Sequence, residues 1–207
     1  MTTRAIVPVK LSLTEGDFYT LWAPTWREKG SEWQAFLGDD QSVLAFHSPE
    51  ELLAYVSSTN THDLVDHPQW EQFQAQGDDR VVPDEKHYYD IIGAPEFLAG
   101  RPSHENVASL SRVFQIARSL ADVASAEQAQ IFFASHSILS NVSRGSEHYA
   151  GDNGLSEWSG VGRVVLANWQ DVVASLDQAV RVVDTSDLDA DRVAAAGAAI
   201  TAAAEAR

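Results

Sequence analysis

The sequence predicts an α+β fold: an N-terminal antiparallel β-meander backed by a helix, then a C-terminal part of three helices and an Ala-rich tail. Three observations carry that expectation. Apolar and polar residues alternate with period two in the first quarter of the chain, a helix-capping signature stands at Ser48, and apolar residues recur at 3–4 spacing from residue 103 to 183.

The first strand is expected over Ala5–Leu13, where Val7, Val9, Leu11 and Leu13 share one face. Glu15-Gly16-Asp17 is turn chemistry. A second strand over Phe18–Trp22 is expected to stop at Ala23-Pro24, because proline cannot donate to a sheet ladder. Trp33–Leu37 and Ser42–Phe46, separated by Gly38-Asp39-Asp40, complete the meander. Ser48 then reads as an N-cap, Pro49 as the first helical residue and Glu51 as the return arm of a capping box. Leu52, Leu53 and Val56 give that helix an apolar face.

Residues 59–102 read as an acidic connecting segment. Prolines at 68, 83, 95 and 102 and glycines at 77, 93 and 100 forbid long regular elements. Short helices fit around Pro68–Gln74 and Ala94–Leu98. Residues 48–100 hold eleven acids against Arg80 and Lys86, so more than half of the net charge lies in a quarter of the chain.

From residue 103 to 183 the chain reads as helix. Ser103 can cap a helix with Val107, Leu110, Val113, Phe114, Ala117, Leu120, Ala121 and Ala124 on one face. A second helix is expected over Ala126–Leu139, an exposed Gly-rich loop over Ser143–Gly160, and a long helix over Trp158–Val183. The last carries a stripe of Leu155, Trp158, Gly162, Val165, Trp169, Val172, Leu176, Ala179 and Val183. Such a stripe can serve as a dimer seam, but flanking paired charges are lacking and the aromatics suit packing within one chain. Residues 184–207, acidic and then nearly pure alanine, are expected to form a frayed helix or a disordered tail.

The chain has 207 residues, 44% of them hydrophobic, with six tryptophans and a formal charge of −16. That is enough apolar material for a sizeable core, in one domain or one domain plus an appendage. A polyanion repels phosphate backbones and anionic membrane surfaces, so neither nucleic acid nor membrane is an expected partner. A basic protein is compatible. The absence of cysteine excludes disulfides, thiolate metal sites and cysteine nucleophiles. No apolar run has the length of a membrane span and the start lacks a signal-peptide pattern, so the expected location is cytoplasmic.

Candidate sites are few. His62 with Asp66, and Asp63 with His67, stand at i, i+4 spacing, as metal ligands on a helix would; Pro68 argues against a helical His67. The sequence therefore assigns no metal, with His62, Asp66 and His67 as the weak candidates, and no cofactor. Asp84, Glu85, His87 and Asp90 beside Tyr88 and Tyr89 read as a surface loop with tucked-in tyrosines, the alternative being an acid–base pocket. Ser135-His136-Ser137 has no nucleophile elbow around it. Ser159-Gly160-Val161-Gly162-Arg163 lacks the rest of a phosphate-binding fingerprint and reads as a flexible helix start. No catalytic residue is assigned. Trp22, Trp26 and Trp33 crowd into twelve residues, and Trp26, after Pro24, can be either core or an exposed anchor. The partner-binding candidates are Trp26, Asp63, Asp66, Asp78, Asp79, Asp84 and Glu85.

Several runs have a more specific look. Ile6 to Asp17, Tyr19-Thr20-Leu21-Trp22-Ala23-Pro24, Glu32 to Gly38 and Asp63-Leu64-Val65-Asp66-His67-Pro68 resemble a family of uncharacterised actinobacterial proteins often named "primosomal protein". The resemblance spans roughly residues 6–183 and is densest in the first 70. It implies an intracellular bacterial protein and brings no catalytic residues. With no nucleotide loop or basic groove, a replication-restart role would run through protein contact rather than DNA. The leading expectation is a non-enzymatic adaptor or regulator that binds another protein. Its alternatives are a small carboxylate/histidine hydrolase or metal-dependent enzyme between His62 and Asp90, and a structural homodimer through the 158–183 helix.

Overall fold

The computed structural model describes residues 6–28, 30–39 and 42–206, with residues 26–28 described by backbone alone. The fold is α+β, with strands first and helices after them. The chain forms two compact units. One comprises residues 1–11, 16–88 and 180–207; the other comprises 12–15 and 89–179.

In the first unit, β1 (Val7–Leu13), β2 (Gly16–Glu28) and β3 (Ser31–Phe36) lie side by side in the order β3-β2-β1. The β2–β3 pairing is antiparallel and sets Trp22 opposite Phe36, whose rings stack at 6.0 Å. Contrary to the expected stop, β2 runs straight through Pro24. The register shifts between Ala23 and Trp26, so an extra residue bulges there and the missing proline N–H breaks no ladder bond. The meander is also divided. β4 (Gly38–Asp39) and β5 (Ser42–Ala45) leave for a second small sheet, ordered β4-β5-β7, where β7 (Val180–Val182) runs parallel to β5. Residues 180–182 are thus a strand rather than the end of the long helix; Val180, Val182 and Val183 favour extended backbone.

Helix α1 (Pro49–Ser58) begins as its sequence dictates. The Glu51 N–H donates to Ser48 Oγ at 3.2 Å, while Glu51 Oε2 accepts the His47 N–H at 2.9 Å, one residue earlier than in the standard box. The helix buries Leu52, Leu53 and Val56 in a core with Leu21, Leu37, Phe46, Leu64, Trp70, Phe73 and Val81. Several of these come from the segment expected to be a connector. Its Pro and Gly breaks are spanned by 3-10 turns at Asp63–Asp66, Asp78–Val81 and Glu85–His87 and by the short helix α2 (Trp70–Gln74); all but the Glu85–His87 turn bury apolar side chains. The boundaries expected at residues 58 and 102 therefore fall inside packed structure, and the units part near residue 88.

The tail is likewise ordered: α7 (Ala190–Glu205) packs along α1. Asp189 caps it, accepting the N–H groups of Asp191 and Arg192 at 3.0 and 3.3 Å. Ala196 is buried, Val193 and Ile200 are half-buried, and a Cβ on Gly197 would stand 3.3 Å from Glu50 Cγ. Alanine compensates for its small apolar surface by high helix propensity and close helix approach.

The second unit is helical. After the short strand β6 (Tyr88–Asp90) come α3 (Ala94–Ala99), α4 (His104–Val123), α5 (Glu127–Ser135) and α6 (Gly151–Ala179). The Ser103 cap forms, with its Oγ accepting the Asn106 N–H at 3.1 Å. The predicted face of α4 is buried from Val107 to Ala121. Phe114, Phe132, Phe133 and Trp169 make one aromatic cluster with ring centroids 5.2–6.4 Å apart. The expected 143–160 loop is replaced by 3-10 turns at Ser137–Arg144 and Ser146–Tyr149 and by the first three turns of α6. Gly154 makes that possible, since a Cβ there would lie 2.2 Å from the Tyr149 carbonyl carbon.

Candidate functional site

The acidic candidates lie on three separate turns of the first unit. Asp63, Asp66, Asp78, Asp84 and Glu85 are exposed and Asp79 is half-buried. Asp78 Oδ1 meets Arg80 Nη1 at 3.2 Å; Asp84 meets Lys86 Nζ at 2.9 Å and His87 Nδ1 at 2.7 Å. The Lys86 hydrogen bond, helped by the His87 contact, holds the Asp84 carboxyl below its ordinary range. These acids form no single patch. Asp63 and Asp66 stand on the turn that packs beside β3, whereas Asp78 stands beside α1 and α7.

Trp26 pairs with Trp33 across β2 and β3, but its side chain lies outside the described residues. Among the described tryptophan side chains the exposed one is Trp33, 55% accessible on β3, the end strand of its sheet. Strand alternation was the signal that could have found it: Phe36 turns inward, and three residues back the side chain turns out.

The weak metal candidates are not brought together. His62 is buried against the Trp70 ring, edge-on at 4.6 Å, with neither ring nitrogen hydrogen-bonded among the described residues; burial pushes its pKa down. His67 is buried too, its Nδ1 accepting the Gln69 N–H at 3.1 Å, while Asp66 faces outward. Among the described residues, no group of three or more His, Asp or Glu is placed to hold a metal ion. His87 is tied to Asp84 at the surface rather than sharing a pocket with His62. His136 Nδ1 lies 2.9 Å from the Phe132 carbonyl, and Ser159 to Arg163 fall in the middle of α6, not at a helix start. That run therefore has no free helix N-terminus for an anion.

Two arrangements were not legible beforehand. In the second unit, Glu157 Oε1 accepts from Asn141 Nδ2 at 2.5 Å and sits 3.0 Å from His148 Nε2, and these bonds hold the Glu157 carboxyl below its usual range. Beside it, Tyr149 is 1% exposed and burial pushes its phenol to about 12. In the first unit, a cleft of about 420 Å³ lies among Tyr55, Ser58, Arg181, Leu188 and Arg192. Arg181 Nη2 is 2.7 Å from Asp39 Oδ2. A second trough of about 290 Å³, walled by Leu53, Ala195, Ala196 and Ala199, shares Ala54 and Arg192 with the first. The two hollows join residues far apart in sequence.

Most of the α6 stripe is spent within its own unit: Trp158, Val165, Trp169, Val172 and Leu176 are buried, and the Trp158 and Trp169 indole N–H groups donate to the Gly100 and Ile91 carbonyls at 3.0 and 2.8 Å, whereas Leu155 at the start of the stripe is exposed and Val183 at its end joins the core of the first unit. Leu166, off the stripe, is 71% exposed. No helix among the described residues is long and apolar enough to cross a membrane.

These features define an α+β domain with surface clefts. The family model for the SatS C-terminal domain matches residues 6–177, and the chain belongs to that family. A solved structure described as the crystal structure of the SatS C-terminal domain in complex with bromine is similar in fold. Its TM-score is 0.59 at 15% identity, covering 86% of this chain and 94% of that one. No curated protein matches. The matched span ends before β7 and α7, so the arginines at 181 and 192 stand outside it.

Proposed function

We propose that this chain is a non-enzymatic protein-binding module, an adaptor or regulator, that takes an extended basic segment of another protein along the edge of β3. The observation that carries this reading is the exposed Trp33 on an end strand that packs beside the turn bearing exposed Asp63 and Asp66. An end strand offers a row of backbone groups to an incoming strand, a tryptophan supplies the desolvated anchor, and the carboxylates select positive charge. Asp78, Asp79, Asp84 and Glu85 add to the acidic field that steers such a partner. The working location is the cytoplasm. An actinobacterial source and a place in primosome assembly rest on the N-terminal motifs; under this reading such a role would run through protein contact.

The test is capture from native lysate at low and high salt with the wild-type chain, Trp33→Ala and the Asp63→Asn/Asp66→Asn pair. One protein held at low salt, weakened by Trp33→Ala at both salts and stripped of its salt dependence by the Asn pair, is the expected result. Capture of nothing, or of proteins indifferent to both variants, overturns the proposal.

A further inference from the structure

The Asp63–Asp66 turn is bracketed by two buried histidines: His62 precedes it as its N-cap and His67 closes it. The His62 carbonyl accepts the Val65 N–H and the Leu64 carbonyl accepts the His67 N–H, both at 3.1 Å. The His67 carbonyl accepts the Trp70 N–H at 2.9 Å, where α2 begins. One short hydrogen-bonded run therefore carries both imidazoles. The His62 ring lies between Trp70, at 4.6 Å, and Tyr55 of α1, at 6.5 Å, and neither of its nitrogens has a hydrogen-bond partner among the described residues. His67 Nδ1 accepts the Gln69 N–H at 3.1 Å, so that nitrogen carries no proton. The packing thus seats both rings in the neutral form. The elements packed against the turn are β3, β4 and α2. Glu32 of β3 and Glu71 of α2 are exposed, Asp39 of β4 is paired with Arg181, and the turn's own Asp63 and Asp66 are exposed. Burial, with no contribution from a neighbouring charge, pushes the His62 pKa down.

We propose that His62 and His67 form a proton-operated latch: protonating them undocks the Asp63–Asp66 turn from the core and draws both aspartates away from the β3 edge, so that acid releases a basic partner. The release rests on the reading of the β3 edge given above; the latch itself does not. An imidazolium at His62 would sit among aromatic rings with no acceptor, and a proton on His67 Nδ1 would meet the Gln69 N–H head-on. Once undocked, both rings are hydrated and take up protons freely. The docked form therefore binds fewer protons, and the opening equilibrium rises as pH falls below about 6.5, by about tenfold per pH unit for each imidazole that gains a proton. A single 3-10 turn, with Leu64 as its buried residue, is a small element to hold against that pull. Asp63 belongs to the same turn, and its Oδ2 would stand 3.4 Å from a Cβ on Gly38, at the junction of β3 and β4. Movement of the turn thus removes the carboxylates that give the edge its charge selectivity.

The test is hydrogen exchange of the Val65, His67 and Trp70 amides of the full chain at pH 7.5 and 5.5, corrected for the intrinsic rate, with the α4 amides as reference. The opening equilibrium of the turn should rise at least tenfold in acid while α4 stays protected. The rise should shrink in His62→Phe, which keeps a ring between Tyr55 and Trp70. It should vanish in His62→Phe/His67→Asn, because asparagine offers the same N–H an oxygen two residues back and every carboxylate is retained. Should that pair misfold, imidazole NMR of the wild-type chain decides, since proton uptake by His62 must coincide with loss of protection. In a second arm, a seven-residue peptide of alternating lysine and valine is titrated at both pH values. It should bind at pH 7.5 and at least tenfold more weakly at pH 5.5, with the paired variant holding it equally at both. Exchange of the turn indifferent to pH, equal loss of protection in α4, or His62 gaining its proton while the turn stays closed would overturn the latch. A peptide held equally at both pH values by the wild-type chain would overturn the release. A peptide that never binds counts against the β3 edge, and exchange alone then decides the latch.

Discussion

Removing the Glu51 carboxylate should loosen the first unit more than any exposed acid can. Glu51 is buried, and its two oxygens do separate work: Oε2 accepts the His47 N–H and Oε1 accepts the Thr185 hydroxyl, both at 2.9 Å. Glu51→Ala removes the reciprocal arm of the cap, about 1 kcal/mol, and the Thr185 bond, about 1 kcal/mol. It also leaves the partly buried His47 N–H without its acceptor, which costs roughly 1–3 kcal/mol if water does not reach it. A total of about 2–4 kcal/mol follows, since the terms share atoms and do not simply add. Glu51→Gln keeps a carbonyl for His47 and an amide that can donate to Thr185, so about 1 kcal/mol is expected. Thr185→Val should cost about 1 kcal/mol alone and much less in the Glu51→Ala background, because the bond is already gone. The assay is urea unfolding with hydrogen exchange of the α1 amides, which reads this helix separately from the second unit. A Glu51→Ala loss below about 0.5 kcal/mol, or full additivity with Thr185→Val, would refute the reasoning.

Two further outcomes are expected. Gly154→Ala places a methyl 2.2 Å from the Tyr149 backbone, where no side chain can yield, so the 146–149 turn must shift; a loss of about 3 kcal/mol or more is expected in thermal unfolding, and a near-neutral result would contradict the close approach. The His62 ring is buried with no hydrogen bond to either nitrogen among the described residues, and its folded pKa is pushed below 6.5 by burial, so in acid the unfolded chain binds the extra proton. Its contribution is present above the unfolded value and lost as pH falls from there through the folded value; His62→Phe should flatten that part of the stability profile between pH 7.5 and 5, and an unchanged profile would count against it.

What the sequence determined by itself is what depends on neighbours along the chain. The Ser48-Pro49-Glu51 and Ser103 caps, the buried face of α4 and the inward stripe of α6 from Trp158 to Ala179 follow from spacing and local hydrogen bonding, and all are present. So does the α+β class. The tertiary structure decided what depends on partners distant in sequence. Pro24 stays in a strand because β3 accommodates a bulge, Val180–Val182 becomes a strand because β5 offers an edge, and the alanine tract is held because α1 lies against it. The same division separates the candidate sites. Acidic turns announce themselves in composition, but the meeting of Arg181 and Arg192 with Tyr55 and the exposure of Trp33 arise only when segments more than a hundred residues apart, or opposite faces of one strand, acquire their neighbours. Local preferences of a few tenths to one kcal/mol per residue fix helices and caps; burial against remote surface outweighs them wherever the two disagree.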